Sequence, residues 1–218
     1  MVSGAQAWDE RYAHPNHVFG YRPNDFLAQS DFLLRPGARV LCLAEGEGRN
    51  AVHLAKLGCR VTAVDFSQVG LDKGKRLADE AGVEIDWQCA DLSAWVHTDA
   101  ARGPWDGVVS IFFHTGVDAW RDIASALLRQ MAPHGVLILE SYTPAQLSLG
   151  TGGPDHEDVL LTRERVTHIF EGWKLDVRLL ERRIFEGMGH QGLSSVIQVL
   201  AQPLVQPRRA SDVTTPDR

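Results

Sequence analysis

The chain of 218 residues has only three cysteines, Cys42, Cys59 and Cys89, odd in number and at no metal-like spacing. That argues against a disulfide framework. All three sit in or beside apolar strand-like runs, the setting of a small buried hydrophobe, which fits a reducing compartment. Basic charge is also short: 22 Lys and Arg stand against 28 Asp and Glu, a formal charge of -6. A domain built to grip a phosphate backbone carries a basic surface, so nucleic acid is disfavoured as a partner. No apolar run approaches the roughly 20 residues that a membrane span needs. Residues 1–10 show no basic segment followed by an apolar one, so no signal peptide is expected. The expectation is a cytoplasmic protein with a small-molecule partner, no nucleic acid and no membrane, its oligomeric state open.

What is present is a regular alternation of buried-strand and helix patterns. Strands are expected at 39–44 (RVLCLA), 60–65 (RVTAVD), 84–88, 105–112 and 135–142. Between them lie helical spacings over 50–57, closed by Gly58, over 68–81, capped by Ser67, and over 118–131, ended by Pro133. Near-continuous apolar strands alternating with helices predict a doubly wound α/β fold with a mainly parallel sheet. The last third breaks the rhythm. Residues 173–185 and 191–202 are two long strands joined by Glu186-Gly187-Met188-Gly189-His190, a link too short for anything but an antiparallel hairpin. The expected organisation is one domain, 1–202, with 1–30 as an N-terminal lid segment and 203–218 as a disordered tail.

The first glycine loop carries the chemistry. Gly46-x-Gly48 follows a buried strand and opens a helix, so backbone N–H groups can approach a ligand with no Cβ in the way. Asp65 ends the second strand, where a carboxylate can accept hydrogen bonds from both hydroxyls of a ribose. The same loop, read as Gly46-x-Gly48-x-x-Ala51, also fits a dinucleotide fingerprint, which keeps an NAD(P)-dependent oxidoreductase open. Three features favour a different adenosyl cofactor. Asp91 and Leu92 follow the third strand and can face an adenine, Phe66 can cover its ring, and a simple dinucleotide domain lacks the terminal hairpin.

Taken together, Glu45-Gly46-Glu47-Gly48-Arg49-Asn50, Val64-Asp65-Phe66-Ser67, Ala90-Asp91-Leu92 and the run 133–140 resemble successive motifs of class I S-adenosylmethionine-dependent methyltransferases. The runs 8–12 (WDERY) and 21–27 (YRPNDFL) resemble the bacterial branch of tellurite-resistance and thiopurine methyltransferase-like proteins. The likeness spans roughly residues 8–202. It implies a seven-stranded sheet in the order 3-2-1-4-5-7-6 and S-adenosyl-L-methionine as cofactor. It further implies that Ala44, Glu45, Gly46, Gly48 and Asn50 hold the methionine end and Asp65 the ribose. Phe66, Ser67, Asp91 and Leu92 would surround the adenine, and Ser110, Ile111 and Phe112 would flank the reactive methyl. One departure stands out. The family's acidic residue near the end of strand one, and the glycine two positions on, are here Cys42 and Ala44. Glu45 or Glu47 would then reach the cofactor's amino group.

On the acceptor side, His114 follows the fourth strand and is the positional candidate for a general base, or else a surface loop histidine. His190, Arg182 and Arg183 on the hairpin either hold an anionic substrate or are solvated turn charges. Tyr12, Tyr21 and Tyr142 are further substrate-side candidates. Gly150–Pro154 reads as a flexible substrate loop. The adjacent His156, Glu157 and Asp158 point in different directions, so no metal is expected. Trp8, Tyr12, Phe19 and Tyr21 either form a lid or pack the first helix onto the sheet. The expected activity is methyl transfer to a small acceptor, a thiol or an oxyanion such as tellurite among the options. A protein that binds the cofactor without turnover is the non-enzymatic alternative.

Overall fold

The computed structural model describes residues 4–204. Its strands are β1 (Arg39–Leu43), β2 (Arg60–Asp65), β3 (Ile85–Cys89), β4 (Trp105–Ile111), β5 (Met131–Tyr142), β6 (Trp173–Glu186) and β7 (His190–Pro203). They form one sheet in the order β3-β2-β1-β4-β5-β7-β6. The first five run parallel, and β7 lies antiparallel to both β5 and β6. Helices α1 (Gly4–Tyr12) and α2 (Asp25–Ser30) precede the sheet. The others are α3 (Arg49–Lys56), α4 (Gln68–Ala81), α5 (Leu92–Trp95), α6 (Val117–Leu128) and α7 (Arg163–Ile169). None of the described helices is long and apolar enough to cross a membrane.

The unbroken apolar runs in the sequence follow from burial on both faces of the sheet. Val40 and Cys42 of β1 pack on one side with Leu27 of α2 and Leu54 of α3. Leu41 and Leu43 pack on the other with Trp105, Trp120 of α6 and Phe170. Such side chains, removed wholly from water, contribute about 1.5–3 kcal/mol each.

Three expectations change. The helix after β4 ends at Leu128, not near residue 131, because Met131 is taken up by the sheet opposite Trp105. The register then jumps to Gly107 opposite Val136, so Pro133 sits in a bulge where its missing N–H costs no ladder bond. Cys42 and Cys59 are buried as expected, but Cys89 is exposed, because β3 is the edge strand and is only partly covered. Finally, β7 continues through Pro203, opposite Trp173, while the rest of the expected tail, from 205 on, lies outside the described residues.

Candidate active site

The carboxyl ends of β1 to β4 open into a cavity of about 420 Å³. The two described residues with positive φ other than glycine, Ala44 (48°) and Phe112 (55°), follow the last residues of β1 and β4, and both stand on its wall. Sparsely populated backbone of this kind collects at working sites.

The β1 exit is a carboxylate-held loop. Gly48, the N-cap of α3, has no side chain to offer, so Glu45 does the capping: its Oε1 accepts from Asn50 N at 2.9 Å and Ala51 N at 2.8 Å. A carboxylate also suits the positive end of a helix. Asp65, at the end of β2, accepts from Gly46 N through Oδ2 and from Ser67 N through Oδ1, both at 2.8 Å. This ties the two loops together. Gly46 is required twice over, since its φ is +61° and a Cβ there would lie 2.5 Å from the Tyr12 hydroxyl. Gly48 lets α3 approach α4, where a Cβ would stand 2.8 Å from both Gly74 Cα and the Trp87 ring. Burial pushes the Glu45 carboxyl up to about 7, against its backbone hydrogen bonds and Arg49. Burial likewise lifts Asp65 to about 6. Asp91 caps α5 through Ser93 N at 2.8 Å and stands at the rim with Phe66.

The other end of the cavity is aromatic. Phe19 and Phe112 each lie 4.6 Å, centroid to centroid, from the His190 ring, and Phe112 stacks on Tyr142 at 4.6 Å. His114 Nδ1 lies 3.5 Å from Ser141 Oγ, while its Nε2 is buried without a partner. Burial and the neighbouring His190 bring its pKa down to about 3. Burial also lowers His190, despite Glu186 at 3.6 Å from its Nδ1. Over this end lie Gly153, Pro154, His156 and Val159 of the loop after β5. His156 pairs with Asp155 at 2.8 Å and Asp158 at 3.8 Å on the exposed side of that loop.

Two ion networks hold the roof. Glu47 turns away from the cavity: it ion-pairs with Lys73 at 2.5 Å and accepts from Val18 N at 2.7 Å. Lys73 also donates to the carbonyls of Tyr12, His14 and Asn16, so the segment after α1 is strapped to α4. The hairpin turn docks on the same strap, with Met188 N and Gly189 N donating to Val18 O. Behind it, wholly buried Glu140 receives Arg182 through both Nε (2.9 Å) and Nη2 (2.6 Å), Asn24 (2.6 Å) and Gln198 (2.7 Å). Glu186 receives Arg49 at 2.6 Å and Asn24 at 2.9 Å. Burial would raise the Glu186 carboxyl, but His190 and Arg49 outweigh it and hold the group at about 2.

Of the residues singled out in the sequence, Ala44, Glu45, Asn50, Asp65, Phe66, Asp91, Leu92, Ile111, Tyr12, His114 and His190 line this one cavity. Gly46 and Gly48 shape the loop behind it. Ser67 caps α4, accepting from Gly70 N at 3.0 Å and bonding Asp9 at 2.6 Å. Ser110 is buried inside β4, Tyr142 lies behind Phe112, and exposed Tyr21 packs on His17. Arg182 is neither a cavity group nor a solvated turn charge, because Glu140 and Asp25 occupy its guanidinium. The sequence reading passed over Arg11 and Arg49 as wall residues, and Glu140 as the buried partner of Arg182. Glu140 did carry a signal, an acid inside the apolar run 136–142 (VLILESY).

Comparison with known proteins places this geometry. Residues 40–135 match the model of the methyltransferase domain family. A demethylmenaquinone methyltransferase of Clavibacter sepedonicus is 36% identical over 115 residues, 50% of this chain and 43% of that protein. The chain spans less than half the length of the curated relatives it matches. Its fold superposes with a TM-score of 0.73 and 19% identity, over 94% of each chain, on the structure solved for the conversion of a disulfide bond into a thioacetal group during echinomycin biosynthesis. TehB from Haemophilus influenzae superposes with a TM-score of 0.65 and 16% identity, covering 83% of this chain and 62% of that one. Residues 40–135 thus match the methyltransferase domain group, and the fold as a whole is shared with these solved structures. The cofactor of that group is S-adenosylmethionine, and the two raised carboxyls at the β1 and β2 exits suit a cationic ligand that bears a ribose.

Proposed function

We propose that this chain is an enzyme that transfers a methyl group from S-adenosylmethionine to a small-molecule acceptor. The observation that carries the reading is that Glu45 and Asp65, two buried carboxyls on adjoining loops, open into the same cavity as the aromatic end formed by the β4 exit. Glu45, with Oε1 held by α3, offers its second oxygen to the donor's ammonium. Glu47 has no such role, being committed to Lys73 and the strap. Each Asp65 oxygen keeps a lone pair for a ribose hydroxyl beside its backbone bond. Phe66 and Leu92 cover the adenine, and Asp91 takes its exocyclic amine. Ala44 and Asn50 border the methionine end, and Ile111 and Phe112 flank the methyl.

The bound donor supplies an activated methyl, so the protein's task is alignment in a dry pocket. The strap with Tyr12 and Phe19, the hairpin and the loop after β5 exclude water. With a pKa near 3, His114 is too weak a base to take a proton from an acceptor, and its unpaired Nε2 acts as a neutral hydrogen-bonding group. His190 completes the same wall. Thiols and oxyanions such as tellurite remain within the proposed acceptor range. An oxidoreductase reading is disfavoured by the methyltransferase match and by the antiparallel β7 inserted beside β5. Incubating the protein with S-adenosylmethionine and a panel of small acceptors should release S-adenosylhomocysteine. A protein that retains the donor but yields no product with any acceptor would be a binder.

A further inference from the structure

The walls of the cavity divide by charge. Its three carboxylates, Glu45, Asp65 and Asp91, all stand at the exits of β1, β2 and β3. No carboxylate stands on the opposite end. There Phe19, His190 and Phe112 form a continuous aromatic face, with successive centroids 4.6 Å apart. Glu186 behind His190 is already matched by Arg49 at 2.6 Å. At the lip of this face stands Arg11, its guanidinium carbon 5.1 Å from the Trp8 ring centroid and 5.2 Å from that of Phe19. Arg11 has no carboxylate partner among the described residues, so rings rather than an acid hold its charge in place. A cation held this way keeps its donors for an incoming anion. The rings, tilted by 45° and 72° against His190, offer faces and edges to a planar ligand, and the like charge of Arg11 disfavours a cationic amine.

Resting on the methyltransferase reading, we infer that the acceptor is a small planar molecule bearing a carboxylate or a similar anionic group, and that Arg11 is the residue that selects it. The ring lies along Phe19 and Phe112 with its anion at Arg11 and its nucleophile toward the β4 exit. The donor's own carboxylate is the competing anion for Arg11, and the test separates the two.

Calorimetry first measures S-adenosylhomocysteine on the wild-type protein; no binding there would overturn the methyltransferase reading itself. The loaded protein is then titrated with 4-hydroxybenzoate, its methyl ester and 4-hydroxybenzylamine. A desolvated charge-assisted contact makes the acid bind about tenfold more tightly than the ester, with the amine weakest. Arg11→Gln removes that preference and leaves S-adenosylhomocysteine affinity intact, while Arg11→Lys retains part of the preference. The inference is overturned, with the function still standing, if the ester or amine binds as well as the acid or if the acid fails to bind. Loss of S-adenosylhomocysteine affinity in Arg11→Gln overturns it equally, since Arg11 would then serve the donor.

Discussion

At the donor end of the cavity, each carboxylate is held by backbone no more than 19 positions away: Glu45 by Asn50 and Ala51, Asp65 by Gly46 and Ser67, Asp91 by Ser93. At the acceptor end the supporting contacts join Asn24 to Glu140, Arg49 to Glu186 and Asn24 to Glu186, across 116, 137 and 162 positions. A binding loop made of near neighbours forms wherever its two strands pair. A wall assembled from a strap, a strand exit and a hairpin needs the whole sheet closed first, and it uses buried charge to fix the pieces. The first arrangement is suited to a cofactor common to many relatives, the second to an acceptor particular to one.

The contrast is tested most forcefully at Glu140. Glu140→Ala removes the wholly buried acceptor shared by Arg182, Asn24 and Gln198 and leaves Arg182 only Asp25 and the more distant Glu186, and losing one partner of a buried ion pair costs about 3 kcal/mol. Denaturant unfolding should show that loss. A change below about 1 kcal/mol would mean that the network does not hold the acceptor end.

The donor end should respond in affinity more than in stability. Glu45→Gln keeps an oxygen to cap α3 and removes only the charge, so S-adenosylmethionine binding should weaken about tenfold while the melting temperature barely moves. Equal affinity in the variant would assign Glu45 to capping alone.

The same carboxyls predict opposed pH trends. In the ligand-free protein Glu45 and Asp65 hold protons that the unfolded chain releases near about pH 4, so their contribution to stability is greatest at or below that pH. It is lost as pH rises through their folded values of about 6 and about 7. Donor binding needs both groups ionised, and affinity should therefore rise over that window. Parallel melting and binding titrations check it, and affinity that falls with pH would contradict the assignment.

Smaller effects are expected at the acceptor wall. His114→Ala and His190→Ala should lower turnover several-fold, about 1 kcal/mol or less at the barrier, and leave donor affinity nearly unchanged. Turnover and donor affinity measured on each variant decide this. Wild-type turnover in both would move acceptor orientation to Arg11 and the Phe19 and Phe112 rings.

The same split governs what the sequence made legible. The strands, the hairpin and the loops at Gly46, Asp65 and Asp91 were readable because each rests on a short pattern, an apolar run, a glycine turn or a capping residue, whereas the sheet order came only from the family resemblance. Helix α6 was overextended because periodicity over 118–131 cannot sense that β4 will recruit Met131. Arg182 was read either as a substrate contact or as a solvated turn charge because its partner Glu140 lies 42 positions away on another strand. Ser110 fell on the wrong side of the wall for a local reason, the pleat of β4, which sends Ile111 into the cavity and leaves Ser110 inside the sheet.

The central claim is that the cavity holds S-adenosylmethionine through Asp65, and a paired calorimetric titration tests it most directly. Wild-type protein and Asp65→Ala are each titrated with S-adenosylhomocysteine and with NAD. Binding of S-adenosylhomocysteine well above NAD, weakened about tenfold or more in a folded Asp65→Ala, is the predicted result. Comparable or tighter NAD binding, or an Asp65→Ala variant with unchanged affinity, would contradict it.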